Sequence, residues 1–168
     1  MGPILDSTVV LAGERKGQTA VDVLTSIRTA VGPENVALST VSVIELEHGV
    51  WRAKDAAQAN RRRKFFDELF AAVAIYPLTF DIARHAAKID GESRRKGVLI
   101  PFQDLVIGVT ALEFGYAVAT ANVRHFQMIP NLVVQKPMTP LKGDGPSLMM
   151  VPHDVPHDAV PHDAHDAS

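Results

Sequence analysis

The chain has 168 residues, 46% apolar and 21% charged, which suits one domain around a single core and excludes wholesale disorder. It contains no cysteine, so disulfide scaffolds, thiolate zinc sites and cysteine nucleophiles are excluded, and the composition fits a reducing compartment. The net charge of −2 hides a split: the last stretch sets Lys142 against Asp144, Asp154, Asp158, Asp163 and Asp166, leaving residues 1–140 with 16 of the 17 basic and 14 of the 19 acidic side chains. The body is thus near neutral, and no overall charge announces a nucleic-acid partner.

The apolar stretches fall short of the roughly 18 residues that a membrane span needs. MGPILDSTVVLAG has no basic segment before its apolar run, unlike a secretory signal. The expectation is a cytoplasmic protein with no membrane partner.

In chain order, PILDSTVVLA is an apolar, β-branched run that predicts a buried strand, with Asp6 at its C-terminal end. Residues 17–31 place Ala20, Val23, Leu24, Ile27 and Val31 at helical spacing, and Gly32-Pro33 stops that helix. Val36-Ala37-Leu38 predicts a second strand. Ser39 or Thr40 then caps a helix through VSVIELEHGVWRA that contains Glu45. A long helix is expected over residues 55–74, a short strand at AIYPL, and a helix from Asp81 to Lys96 ended by Gly97. Phe102-Gln103-Asp104 opens the most apolar helix, closed by Gly115, and AVATAN and LVVQ are the last two strand candidates. Alternating strands and helices of this kind predict an α/β sandwich with a mostly parallel sheet.

After Pro140 the character changes. V-P-H-D occurs three times and A-H-D once, and little there could form a core. Residues 141–168 read as a disordered low-complexity tail beside a domain at 1–140. Its His and Asp residues give it at most adventitious metal affinity.

Three acids stand where acids are not expected. Asp6 ends an apolar strand, Glu45 lies beside Val43, Ile44 and Leu46, and Asp104 starts the apolar helix. A carboxylate near a packed interior costs several kcal/mol unless it is paired or bound to a cation. Each has a simpler explanation, as a turn cap, a solvated helix residue or a first-turn acid favoured by the helix dipole. Ligands of open parallel sheets gather outside the carboxyl ends of the strands, where Asp6 and Asp104 are expected. A set of hard oxygen donors there suits Mg²⁺ or Mn²⁺, which in turn suits phosphodiester hydrolysis.

These residues resemble the PIN-domain ribonucleases, and among them the VapC-type toxins of bacterial toxin–antitoxin modules. The motifs are ILDSTVVL around Asp6, LSTVSVIELEHG around Glu45, and IPFQDLVIGVTALEFGYAVATANVRHF around Asp104, followed by PNLVV. The resemblance spans roughly residues 1–136 in the right order. It implies a PIN-like three-layer α/β/α sandwich with a mostly parallel central sheet. It also implies a Mg²⁺-dependent (or Mn²⁺-dependent) endoribonuclease that cleaves single-stranded RNA, with tRNA or rRNA as targets, and that pairs with a cognate antitoxin and forms a homodimer.

The resemblance maps the metal-binding and catalytic acids to Asp6, Glu45 and Asp104. Asp6 and Asp104 would hold the metal while Glu45 positions or deprotonates the attacking water. Asn122 stands where many members carry a fourth acid, and Asn122, Thr40 and Arg124 are the tentative substrate-side residues. Thr40 and Ser7 can equally act as caps, and His125 can orient the turn before Phe126. Arg61, Arg62, Arg63 and Lys64 offer either RNA-phosphate contacts or a solvated face. Trp51, Phe65, Phe66, Phe70 and Phe80 read as core and dimer surface, with the 55–74 segment as the place for an antitoxin to cover. The alternatives are a catalytically inactive PIN module that binds RNA or protein, and a different metal-dependent phosphodiesterase.

Overall fold

A computed structural model describes residues 2–32 and 35–137, so the expected tail at 141–168 lies outside the described residues. Five short strands, β1 (Pro3–Leu5), β2 (Ala37–Ser39), β3 (Ala74–Tyr76), β4 (Ala117–Ala119) and β5 (Val134–Gln135), form one sheet in the order β3-β2-β1-β4-β5. Every pairing is parallel, with Ile4 opposite both Ala37 and Val118, and Leu38 opposite Ile75. Strand order runs outward from β1 in one direction and then resumes on its other side at β4. The switch point where such sheets hold ligands therefore lies between β1 and β4.

Seven helices among the described residues cover the two faces: α1 (Ser7–Arg15), α2 (Ala20–Val31), α3 (Thr40–Trp51), α4 (Ala56–Ala72), α5 (Phe80–Arg95), α6 (Phe102–Glu113) and α7 (Val123–Phe126). Alternation along the strands divides the core. Ile4, Ala37 and Val118 face one cluster with Ile82, Ile89, Val106, Val109 and Phe126 of α5–α7. Leu5, Leu38 and Ala119 face the other, with residues of α1–α4 such as Val10, Leu24, Leu46, Phe66 and Leu69. The three-layer α/β/α sandwich follows from burying both faces of the sheet, each large side chain such as Phe66 or Phe126 contributing about 1.5–3 kcal/mol.

Most of the expected elements are present, with their ends shifted by up to three residues. Ala20, Val23, Leu24 and Ile27 are all buried on α2, and Gly97 and Gly115 follow their helices with φ of 73° and 68°, a conformation glycine adopts without strain. Two expectations change. The predicted strand over PILDSTVVLA ends at Leu5, and STVVLAGER is helix. Strand propensity of Thr8, Val9 and Val10 yields there to tertiary packing: Ser7, Val10 and Gly13 lie one turn apart on a single buried face. Gly13 permits that contact, because a Cβ at this position would collide with Val23 of α2. The second change is α7, a single turn at VRHF that had no periodic pattern to announce it.

The basic run on α4 is mostly engaged. Arg62 bonds Glu14 of α1 through Nε at 3.1 Å and the Gly49 carbonyl of α3 through a terminal nitrogen at 2.6 Å. Arg63 reaches Glu47 at 2.5 Å, leaving Arg61 and Lys64 exposed. Phe65 and Phe66 belong to the core, whereas Trp51 and Phe80 are 80% and 74% exposed and do not.

Candidate active site

Asp6 directly follows β1, and its position is set by the β1–β4 register. Leu5 pairs with Ala119, and the Asp6 amide donates to the Ala119 carbonyl at 3.0 Å, so the next residue of β4's chain, Thr120, stands beside the Asp6 side chain. Thr120 Oγ1 donates to Asp6 Oδ2 at 2.7 Å, and Thr8 Oγ1 donates to the same oxygen at 2.5 Å. Asp6 is only 3% exposed and Thr120 is fully buried. A buried carboxylate of this kind is tolerable because two hydroxyl groups replace part of its lost hydration.

Glu45 is placed by the start of α3. Ser39 caps that helix by accepting from the Ser42 amide at 3.1 Å, and the Ser42 hydroxyl donates to the Leu5 carbonyl at 3.0 Å. Ser42 is thereby fastened to the residue before Asp6, and Glu45, three residues on, shares its helix face. Thr40 is not the cap; its Oγ1 accepts the Leu78 amide at 3.1 Å and ties down the segment between β3 and α5. Burial pushes the Glu45 carboxyl above the ordinary carboxylate range, and the negative charges of Asp6 and Asp104 push it the same way. The Ser7 hydroxyl, as a hydrogen-bond donor, and the nearby His48 pull in the opposite direction. Glu45 Oε2 is buried without a hydrogen-bond partner.

Asp104 lies in the first turn of α6. Three residues separate α6 from β4, so α6 runs down against the strands and its N-terminus lies at the sheet's C-terminal edge, with Asp6. Burial raises the Asp104 carboxyl above its ordinary value, and the charge of Asp6 adds to this, while His125 opposes it. His125 Nδ1 sits 2.7 Å from Asp104 Oδ2 and 2.6 Å from the Asn122 amide nitrogen. Asn122 also donates its backbone N–H to Thr120 Oγ1 at 2.8 Å. Arg124 is exposed on α7.

The three acids thus converge from β1, α3 and α6 and act on one another electrostatically. Among the described residues no group of three His, Cys, Asp or Glu side chains has the spacing of a preformed metal cage. The donor set nonetheless fits a hard divalent cation. All three side chains are carboxylates, their mutual charge disfavours ionisation of Glu45 and Asp104, and Glu45 presents a buried oxygen that nothing in the protein satisfies. The sequence did not single out Thr8 and Thr120 as supports of Asp6; both stood only as unremarked threonines inside the motifs around Asp6 and Asn122.

Among the described residues no helix is long and apolar enough to cross a membrane. Residues 4–130 match the family model of the PIN domain. The chain is 35% identical over 129 residues to ribonuclease VapC10 of Mycobacterium tuberculosis, covering 77% of this chain and 89% of that protein. It is 26% identical over 134 residues to ribonuclease VapC of Rickettsia bellii, covering 80% and 95%. Among solved structures, VapBC2 from Rickettsia felis bound to a DNA fragment from their promoter superposes with a TM-score of 0.68 at 20% identity, covering 80% of this chain and 98% of that one. FitAcB from Neisseria gonorrhoeae superposes with a TM-score of 0.67 at 26% identity, covering 82% and 98%. The sheet order, the converging carboxylates and these relatives agree, and the chain belongs to the PIN-domain family, among the VapC ribonucleases.

Proposed function

We propose that this chain is a divalent-metal-dependent endoribonuclease that cuts single-stranded regions of tRNA or rRNA, and that it acts as the toxin of a toxin–antitoxin pair. The observation that carries the reading is the buried, unpartnered Glu45 oxygen beside two further carboxylates at the switch point of a parallel sheet. Asp6, Asp104 and Glu45 would hold Mg²⁺, or Mn²⁺ in its place. When bound, the cation would neutralise charge on the scissile phosphate and acidify a water.

The protein's own groups do the rest. Thr8 and Thr120 hold Asp6 in one orientation, and Ser42 fixes the helix that presents Glu45. Glu45 would position the attacking water or take its proton. Arg124, exposed on α7 beside His125 in the chain, would contact the RNA backbone. Relatives solved as VapBC complexes support a cognate antitoxin as partner, and a homodimer remains part of the same proposal.

The biological test is expression of the chain alone in a bacterial host. Wild type should arrest growth and Asp6→Asn should not, since that change removes charge from the site with little change in shape. Equal arrest by both proteins would assign toxicity to something other than this site.

A further inference from the structure

Two side chains of TANVRHF, Asn122 and His125, have no direct part in the chemistry above. His125 Nδ1 lies within hydrogen-bond distance of both Asp104 Oδ2 and the Asn122 side-chain nitrogen. A ring nitrogen carries either a proton or a lone pair. Bare, Nδ1 could accept from the Asn122 amide, but it would then face an ionised Asp104 lone pair to lone pair. Protonated, it donates to Asp104, and a half-turn of the Asn122 amide brings its carbonyl oxygen to the same N–H. The two ends of an amide have nearly the same shape, and the hydrogen-bond network decides between them. With Asp104 ionised, as a metal ligand must be, the tautomer with its hydrogen on Nδ1, shared between the two oxygens, is the one that sets no lone pair against another.

The supporting frame is closely packed. His125 precedes the fully buried Phe126, and α6, which carries Asp104, meets this region at Gly108, where a Cβ would collide with Ile129. The Asp104 side chain is 14% exposed and the imidazole 28%, so water competes weakly for the bond between them.

The geometry points to His125 as a positioning residue that, braced by Asn122, donates its Nδ1 proton to Asp104 and fixes that carboxylate for cation binding. Asn122 is then a brace for the ring, where a fourth acid would have been a ligand. The inference rests on the proposed reading that the three acids form a metal site.

Two measurements on the full chain separate the inference from that reading. Long-range ¹H–¹⁵N NMR of the metal-free protein should find the His125 Nδ1 protonated, and a bare Nδ1 would overturn the inference while leaving the metal site standing. Mn²⁺ titration followed by electron paramagnetic resonance should show binding by wild type and its loss in Asp104→Asn. His125→Ala should weaken Mn²⁺ binding by about 10- to 100-fold, the usual effect of removing a group that orients a ligand. His125→Asn, whose amide nitrogen takes the place of Nδ1, should restore most of the affinity. His125→Gln, whose amide reaches where Nε2 was, should not. This Asn–Gln comparison also decides the matter if His125→Ala fails to fold. Equal Mn²⁺ affinity in all three His125 variants and wild type overturns positioning. A folded wild type that binds no Mn²⁺ overturns the metal reading and the inference with it.

Discussion

Replacing Thr120 by valine isolates the bond that makes a buried Asp6 tolerable. Valine has nearly the same shape, so packing around this fully buried position changes little. What disappears is the hydroxyl that donates to Asp6 Oδ2 at 2.7 Å and accepts the Asn122 amide at 2.8 Å. A buried hydrogen bond to a charged group is worth about 1.5–3 kcal/mol, and Thr8 still donates to the same oxygen. Asn122 is only half-buried and can recruit water for its N–H, so the net loss should be about 2–3 kcal/mol. For a domain of this size that lowers the melting temperature by on the order of 10 °C. Thr120→Ser is the control, keeping the hydroxyl and losing a methyl group worth about 1 kcal/mol. Thermal and urea denaturation followed by circular dichroism, in metal-free buffer at neutral pH, measures both variants. If Thr120→Val is as stable as Thr120→Ser, the hydroxyl does not hold Asp6 and the account of that carboxylate's burial is wrong.

Glu45 and Asp104 both have raised proton affinities in the folded state, so at these two groups the metal-free fold binds protons more readily than the unfolded chain. Their contribution to stability is fully present below the ordinary carboxylate pKa of about 4 and is lost as pH rises through the raised folded values. Glu45→Gln should therefore melt above wild type at neutral pH in EDTA, with the difference vanishing in acid. A Glu45→Gln protein that melts below wild type at neutral pH would contradict the like-charge site. Arg62→Ala should cost about 1–3 kcal/mol in chemical denaturation, because it removes the tie between α1, α3 and α4 and leaves Glu14 unpaired. Arg61→Ala, at an exposed position, should stay within about 0.5 kcal/mol of wild type.

Local patterns carried much of the architecture. The spacing of Ala20, Val23, Leu24 and Ile27 located α2, the glycines at 97 and 115 ended α5 and α6, and the alternation of strands and helices gave the parallel sandwich. The three acids stood out because each interrupts an apolar run. Long-range contacts were not legible. The helix at STVVLAGER exists because its small buried face meets α2 and α3, and its β-branched residues by themselves read as strand. Thr120 supports Asp6 only through a strand register that joins residues 114 positions apart. The same holds for Arg62, whose partner Glu14 lies 48 positions away; a basic run alone cannot show which cations are already bound within the fold. Asn122 and His125 were visible as a motif, but the contact of His125 with Asp104 needed α6 and α7 packed together.

Cleavage of a labelled single-stranded RNA by the purified chain bears most directly on the central claim. Cutting is expected in Mg²⁺, none in EDTA, recovery on adding Mg²⁺ or Mn²⁺ back, and no cutting by Asp6→Asn, Glu45→Gln or Asp104→Asn proteins that remain folded by circular dichroism. Undiminished cleavage in EDTA, or by a folded protein lacking any one of these carboxylates, would contradict it.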